Sequence, residues 1–212
     1  MGKLVKIALA GEGGQGVQSV AEILVEAANE EGKEALYIPN FGVEQRGGVS
    51  IAFVQISDEE KIGSPKYVKG DIVIALSDRA VRRCAQYVDE NTVFIYDTSI
   101  EGVEDDLPKN AKKVFGIPAI EVAKNELHPR VFNIIIMGAT IRATQVVTPE
   151  QAKEALEDKL GYKFEQNPQL RELNYRALSG ACNWLKARCK IPAGKRRNSP
   201  HGRMESLHYR KR

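Results

Sequence analysis

The fold of this chain is decided by the stretch Leu9-Ala10-Gly11-Glu12-Gly13-Gly14-Gln15-Gly16-Val17. An apolar run precedes it and an amphipathic pattern over residues 18–31 follows it, so a strand, a glycine turn and a helix are predicted. Three of its glycines match the G-x-G-x-x-G spacing, and Gly14 adds a fourth. Such a turn exposes backbone N–H groups at the positive end of a helix dipole, which favours a phosphate or a closely approaching partner group.

The turn alone does not predict a dinucleotide site, because that site also needs an acidic residue at the tip of the second strand. The second strand is expected at residues 34–38, and it runs into Pro39-Asn40 with no carboxylate at its tip. The turn is therefore interpreted as a phosphate-binding or backbone-docking turn. It lacks the carboxylate that binds the ribose in an NAD site. Because parallel strands need a crossover connection, the first two strands are expected to form a parallel pair joined by the helix.

A second glycine-rich loop, residues 39–48, carries Glu44 and Arg46 among its glycines. Loops that follow parallel strands gather at one edge of the sheet, where ligands bind. The loop is therefore interpreted as lining a cleft together with the first glycine turn. The alternative is a solvated loop whose charges face water.

Short strands and helices alternate further along the chain, which predicts an α/β fold: a Rossmann-like, mainly parallel sheet flanked by helices. Strands are expected at 49–56, 72–76, 93–96 and 112–115, and helices at 78–87 and 119–125. The C-terminal third is expected to be helical, with a capping box at Thr148-Pro149-Glu150-Gln151, a helix end at Gly161 and a last helix from Asn167-Pro168. We expect one domain over residues 1–190 and a basic tail with little fixed structure over residues 191–212.

The composition suits a protein with one full hydrophobic core, since the chain has 212 residues of which 42% are hydrophobic. No apolar run approaches the ~18 residues that span a membrane, and no signal peptide is visible, so we expect a cytoplasmic protein. The net charge of +3 is uneven, because residues 190–212 hold eight Lys/Arg and one Glu. This tail is interpreted as solvated or partner-docking, and we do not expect it to bind nucleic acid.

No catalytic constellation is evident in the sequence. None of the three cysteines lies in a C-x-x-C pair, which argues against zinc or iron–sulfur ligation by this chain. His128 stands alone and is expected to be structural, and Asp97 is interpreted as an exposed turn or cap residue at a strand end. The chain is therefore interpreted as a component that positions a ligand or a partner.

The motifs at residues 11–17 and 41–48 resemble those of the gamma subunit of 2-oxoacid:ferredoxin oxidoreductases, and the stretch 167–178 is similar to that family's C-terminal helix. The resemblance covers roughly residues 4–186. It implies a non-catalytic subunit of a complex that oxidatively decarboxylates a 2-oxoacid with CoA to an acyl-CoA and CO₂ and reduces ferredoxin. The implied partners are alpha, beta and delta-type subunits, which mainly carry thiamine diphosphate, magnesium and the [4Fe-4S] clusters.

The resemblance also implies that this chain shapes the site and helps to bind CoA, whose phosphates a glycine turn and a guanidinium would suit. The residues to which it carries this role are Gly11, Gly13, Gly14, Gln15, Gly16, Glu44, Arg46, Gly47 and Gly48. Phe41 and Val43 stand where relatives commonly have Tyr and Pro, so any role of the tyrosine hydroxyl is lost. The Arg-Gly-Gly ending resembles the oxoglutarate and branched-chain types more than the pyruvate type. The alternatives are the beta-type subunit of indolepyruvate oxidoreductase and a stand-alone dinucleotide-binding protein.

Overall fold

The computed structural model describes residues 4–41, 48–58 and 61–187, with side chains as far as residue 181. The strands are β1 Val5–Glu12, β2 Glu34–Asn40, β3 Val49–Ser57, β4 Ile72–Ala75, β5 Val93–Asp97 and β6 Lys113–Ile117. The α-helices are α1 Val17–Glu30, α2 Asp78–Cys84, α3 Ala119–Glu126, α4 Phe132–Thr144, α5 Pro149–Gln166 and α6 Pro168–Ala187. The predicted α/β architecture with a helical C-terminal third is therefore confirmed. The predicted tail at 191–212 lies outside the described residues.

The six strands form one sheet in the order β2-β3-β1-β4-β5-β6. Strand β3 is antiparallel to both β1 and β2, whereas the pairs β1/β4, β4/β5 and β5/β6 are parallel. Five of the six strands consequently run in one direction, and the prediction of a mainly parallel sheet is confirmed.

The expected pairing of the first two strands is wrong, because β3 lies between them. The reason is their composition: β3 is apolar on both faces and almost wholly buried, which suits an interior position. Strand β2 is only half-buried and carries Pro39, which cannot donate to a ladder hydrogen bond and so favours an edge. The sequence after β2 therefore returns directly as an antiparallel neighbour.

The helices lie on both faces of the sheet, and the strand order reverses between β1 and β4. Side chains of β1 alternate between the two cores: Ile7 and Leu9 pack with α1 and α4 on one face, and Ala8 and Ala10 pack with α2 on the other. The chain continues from β1 toward β2 in one direction and from β4 toward β5 in the other. The carboxyl ends of β1 and β4 therefore flank a topological switch point, where open α/β sheets place their ligands.

The C-terminal helices pack closely on one face of the sheet. Helix α4 is buried along most of its length, and Gly138 allows it to approach α6, because an added Cβ would overlap the Leu178 carbonyl and lie 2.8 Å from the Ala181 Cβ. Helices α5 and α6 are also joined by an ion pair of 2.8 Å between Arg171 Nε and Glu157 Oε1.

The predicted end of α5 at Gly161 is wrong, because this helix continues to Gln166. Phe164 is buried in the core and anchors the last turn. The end is set by Pro168, whose ring disfavours helical geometry at the residue before it, and Asn167 accordingly has φ −144° and ψ 88°.

The predicted capping box at the start of α5 is half formed. Thr148 Oγ1 accepts from Gln151 N at 3.3 Å, as expected. The reciprocal bond comes from elsewhere, since Thr148 N donates to Glu31 Oε1 at 2.6 Å and the buried Gln151 Oε1 has no partner. A carboxylate at the end of α1 thus replaces the local side chain and ties α1 to α5.

Candidate functional site

The two ends of the second glycine-rich loop lie at the edge of the sheet that holds the first glycine turn, as predicted. Strand β1 ends at Glu12, which pairs in register with Val49 at the start of β3. The Ser50 hydroxyl donates to the Gly11 carbonyl at 3.4 Å. Both ends of the second loop, Phe41 and Gly48, therefore lie at the edge that holds the first turn. Glu44, Arg46 and Gly47 lie outside the described residues, and their roles stay predictions.

Two of the four turn glycines are required by packing inside the protein. A Cβ at Gly11 would lie 2.6 Å from Gln15 Oε1 and 2.8 Å from Val17 Cγ2. Gly16 has φ +73°, and a Cβ there would overlap the Asn133 amide, with Asn133 Cγ at 3.2 Å. These two positions therefore require glycine, because the turn packs there against its own helix and against α4.

The other two glycines, Gly13 and Gly14, form the exposed apex of the turn. A Cβ added at either position would have no described heavy atom within 4 Å. Gly14 has φ +91°, a conformation that other residues adopt only with strain. The described part of the chain leaves the space beside these two residues open and both are exposed, so the apex is the part of the turn that a ligand or another subunit can reach.

Gln15 occupies the switch point and is turned inward. Its Oε1 accepts from Glu12 N at 2.7 Å, and its Nε2 donates to the Leu76 carbonyl at 2.9 Å. Leu76 directly follows β4, so this side chain bridges the ends of the two strands at which the sheet order reverses. One N–H of Nε2 and one lone pair of Oε1 are thus used within the protein, and the role predicted for Gln15 as a direct ligand contact stays a prediction.

The first turn of α1 lies at the same edge of the sheet. No described side chain there offsets the positive end of the helix dipole. Gly16 is the N-cap residue and has no side chain to accept from the first amides, and no acidic residue lies in the first turn. The N–H groups of a helix start need partners, and anions are favoured there. Together with the open apex, this helix start can bind a phosphate group.

Two other polar residues at this edge are engaged in structure. Ser77 Oγ accepts from Ala80 N at 3.2 Å and caps α2. Asp97 accepts from Ser99 N at 2.7 Å and from Ile120 N at 2.9 Å, so the predicted turn or cap role is confirmed. It was expected to be exposed and is instead fully buried. His128 is structural as expected, since its Nδ1 accepts from Arg130 N at 3.2 Å.

The described residues offer no binding set for a metal or for an iron–sulfur cluster. No group of three or more His, Cys, Asp or Glu side chains within residues 4–41, 48–58 and 61–181 is arranged to hold a metal ion. Cys84 is buried on the face of the sheet that α2 covers. Burial raises the pKa of its thiol to about 12, which opposes the thiolate form that binds iron. Within the described part of the chain, no helix is long and apolar enough to cross a membrane.

An open groove of about 560 Å³ lies along the flank of α1, away from the glycine turn. Its lining residues are Glu22, Val25, Glu26, Asn29, Glu30 and Tyr37. Three carboxylates would repel the phosphates of a nucleotide, so this groove is not the site that the glycine turn implies.

The geometry also argues against the dinucleotide alternative. The ribose clamp of an NAD site requires a carboxylate on a strand next to the glycine turn. Here β3 separates β1 from β2, and β2 ends in Asn40. The residues that sequence reasoning missed are Asn133 and Leu76, which fix the turn from α4 and β4. No local signal marks either residue, because both act only through tertiary contact.

Comparison with known proteins matches residues 6–184 to the family model of pyruvate ferredoxin/flavodoxin oxidoreductases. The ketoisovalerate oxidoreductase subunit VorA of Methanothermobacter marburgensis is 30% identical over 182 residues, which are 86% of this chain and 37% of that protein. The chain thus spans little more than a third of the length of that relative. The 2-oxoglutarate synthase subunit KorC of Methanocaldococcus jannaschii is 36% identical over 155 residues, which are 72% of this chain and 82% of that protein.

Two solved structures share the fold. One is the 2-oxoglutarate:ferredoxin oxidoreductase from Magnetococcus marinus with 2-oxoglutarate, coenzyme A and succinyl-CoA bound: its TM-score is 0.76 at 27% identity, over 90% of this chain and 32% of that chain. The other is the keto/oxoacid ferredoxin oxidoreductase gamma subunit from Geobacter sulfurreducens, with a TM-score of 0.72 at 27% identity, over 87% of this chain and 98% of that chain. These likenesses confirm the resemblance drawn from the two glycine motifs and do not support its alternatives. The chain therefore belongs to the pyruvate ferredoxin/flavodoxin oxidoreductase family, and its fold is that of a keto/oxoacid ferredoxin oxidoreductase gamma subunit.

Proposed function

We propose that this chain is the gamma subunit of a 2-oxoacid:ferredoxin oxidoreductase complex and that it binds the phosphate end of CoA. The complex would convert a 2-oxoacid and CoA to an acyl-CoA and CO₂ and pass two electrons to ferredoxin. Its other parts would be alpha, beta and delta-type subunits. This chain would contribute no catalytic residue, and would shape the site beside the centre that another subunit carries.

One observation carries the proposal: the open apex of the glycine turn, Gly13 and Gly14, lies beside the uncapped start of α1. Backbone N–H groups and a helix dipole suit a phosphate, and CoA carries phosphates at one end. The exposed side chain of Phe41 stands at the same edge, where it offers an apolar surface for the body of a ligand or for a neighbouring subunit. The predicted guanidinium of Arg46 would add a charge-assisted contact.

The described residues do not fit the other groups that the family implies. Thiamine diphosphate, when bound, supplies the chemistry that breaks the carbon–carbon bond of a 2-oxoacid. Its magnesium needs oxygen ligands and its neighbouring clusters need thiolates. The described part of this chain holds no group of three or more His, Cys, Asp or Glu side chains arranged for a metal, and we propose that other subunits bind these groups.

The substrate is proposed only as a 2-oxoacid. The relatives named above are, by their names, subunits of a ketoisovalerate oxidoreductase and of a 2-oxoglutarate synthase. The Arg-Gly-Gly ending of the second loop favours these two types over pyruvate. A panel of pyruvate, 2-oxoglutarate and branched-chain oxoacids, assayed with CoA and ferredoxin on the native complex, selects among them.

The test is Gly13→Val in the assembled complex. Position 13 has a φ that does not require glycine, and no atom of residues 4–41, 48–58 or 61–181 lies within 4 Å of an added Cβ, so valine should fit the folded chain. The same side chain would occupy the space proposed for CoA. We expect KM for CoA to rise at least tenfold, with KM for the oxoacid and the thermal midpoint of the complex unchanged.

Gly63→Val is the matched control. Gly63 also lacks a positive φ and has no described atom within 4 Å of an added Cβ, but it lies in the β3–β4 connection at the opposite edge of the sheet. It should leave all kinetic constants unchanged. If Gly13→Val and Gly63→Val give the same KM for CoA, the glycine turn does not bind CoA. Arg46→Ala tests the contribution of the second loop in the same assay.

A further inference from the structure

We infer that Gln15 is a positioning residue, which holds Gly13 and Gly14 in their binding conformation from inside the switch point and does not touch CoA itself. This inference rests on the proposed function, because it concerns the same turn. It changes the assignment of Gln15 from a ligand contact to a support of the apex. The hydrogen bonds by which Gln15 holds the apex are called the brace below.

Two hydrogen bonds join Gln15 to Glu12 and so close the turn around Gly13 and Gly14. Gln15 N donates to the Glu12 carbonyl at 3.1 Å, and Gln15 Oε1 accepts from Glu12 N at 2.7 Å. Residue 12 and residue 15 are thereby joined twice, and only Gly13 and Gly14 lie between them. The end points of the apex are fixed by this pair of bonds.

A third bond fixes this small loop to the sheet. Gln15 Nε2 donates to the Leu76 carbonyl at 2.9 Å. Leu76 is itself held, since its N–H donates to the Ala10 carbonyl at 2.9 Å. The brace therefore runs from the end of β1 through Gln15 to the residue after β4, and it spans the point at which ligands enter related sheets.

A second residue of the motif, Gly11, leaves space for the Gln15 side chain. A Cβ at Gly11 would lie 2.6 Å from Gln15 Oε1 and 3.3 Å from the Leu76 Cβ. Glycine at position 11 thus admits the Gln15 side chain into the space between the two strand ends. The pair Gly11 and Gln15 forms one packing unit inside the longer motif.

The consequence concerns conformational entropy. Two adjacent glycines have the largest backbone freedom of any dipeptide, and ordering them opposes binding. With the brace in place this ordering occurs when the protein folds, so a ligand meets a preorganised turn. Without the brace, the ligand itself has to order the apex. Loss of the brace should therefore raise KM for CoA about tenfold while kcat at saturating CoA stays near the wild-type value.

The experiment compares three substitutions in the assembled complex. Gln15→Met keeps the length of the side chain and removes both of its hydrogen bonds. Gln15→Glu keeps the acceptor for Glu12 N and removes only the donor to Leu76. Gln55→Met is the matched control, because the Nε2 of Gln55 likewise donates to a backbone carbonyl, that of Ser64 at 2.7 Å, and this buried side chain lies toward the opposite edge of the sheet.

The pH profile separates positioning from general destabilisation. At pH 8 both Gln15 variants should show the tenfold rise in KM for CoA, and Gln55→Met should not. As the pH falls, the carboxyl group introduced by Gln15→Glu takes up a proton and can again donate to the Leu76 carbonyl. Burial beside a carbonyl raises the pKa of such a group above its usual ~4.3. The KM ratio of Gln15→Glu to wild type should thus fall toward one by pH 5.5, whereas that of Gln15→Met should not change.

The inference is overturned if either Gln15 variant has the KM for CoA of Gln55→Met, or if kcat falls while KM for CoA stays unchanged. It is also overturned if the KM ratio of Gln15→Glu is independent of pH. Should Gln15→Met fail to assemble, the pH profile of Gln15→Glu alone decides. A failure of the proposed function would look different, because Gly13→Val would then leave KM for CoA unchanged.

Discussion

Substitution of Gly16 by alanine should destabilise the chain strongly, and the cost can be worked out from two contacts. Gly16 has φ +73°, and an alanine in this left-handed region costs about 1–2 kcal/mol. The new Cβ would also overlap the Asn133 amide, and displacing a packed side chain costs about 1–3 kcal/mol. The sum is roughly 2–5 kcal/mol, out of a total stability of about 5–15 kcal/mol.

The measurement is denaturant and thermal unfolding of the full chain. A loss of this size should lower the thermal midpoint by roughly 4–20 °C, at about 2–4 °C per kcal/mol for a domain of this length. Gly13→Ala is the control within the same turn, because its Cβ would enter open space, and it should change stability by less than about 0.5 kcal/mol.

A second substitution divides the cost into its two parts. Asn133→Ala leaves its own Cβ at 3.5 Å from the Cβ added at position 16, which is an ordinary contact. The Gly16→Ala, Asn133→Ala double variant should therefore recover the overlap part of the loss and retain the backbone strain. If Gly16→Ala unfolds at the wild-type midpoint, or if Asn133→Ala recovers nothing, the packing assigned to this glycine is wrong.

Three further predictions use other contacts. Gly138→Ala should cost about 3 kcal/mol or more, because its Cβ would overlap the Leu178 carbonyl, whereas Gly161→Ala in open helix surface should stabilise the chain by about 0.5–1 kcal/mol; chemical unfolding of both checks the contrast. Although burial raises the pKa of Glu31, the bonds from Thr148 and Lys33 outweigh it and lower that pKa overall. The stabilising contribution of Glu31 is therefore present above the ordinary carboxyl pKa of 4.5 and is lost as the pH falls below it. Glu31→Gln should accordingly cost about 1 kcal/mol at pH 7, and a pH series of unfolding curves should show the difference shrinking below pH 4.5. Glu12→Gln removes the only charge of the turn and should lower KM for CoA about two- to fivefold at low salt, if a phosphate binds at the apex; an unchanged KM would count against a phosphate there.

Local patterns predicted the elements of this fold well. The glycine turn, the N-cap at Thr148 and the last helix from Pro168 are all marked by residues whose effect is confined to their own segment. Such signals depend on backbone geometry and on neighbouring hydrogen bonds, which a single sequence contains. The placement of both ends of the second loop beside the first turn also followed, because strands of one direction bring their loops to one edge.

Features that depend on tertiary contact could not be predicted in this way. Strand β3 takes an interior place because both of its faces are apolar, and only the assembled sheet shows which strands it separates. Helix α5 passes Gly161 because Phe164 is buried beyond it. The four turn glycines look alike in the sequence, yet Gly16 packs against Asn133 while Gly13 faces open space.

The central claim is that the apex of the glycine turn meets CoA, and amide hydrogen exchange on the assembled complex tests it most directly. Adding CoA should slow exchange in peptides that cover residues 11–17, and the Gly13→Val complex should lose this protection at the same CoA concentration. Protection confined to other parts of the chain or to other subunits, with exchange at residues 11–17 unchanged, would contradict the claim.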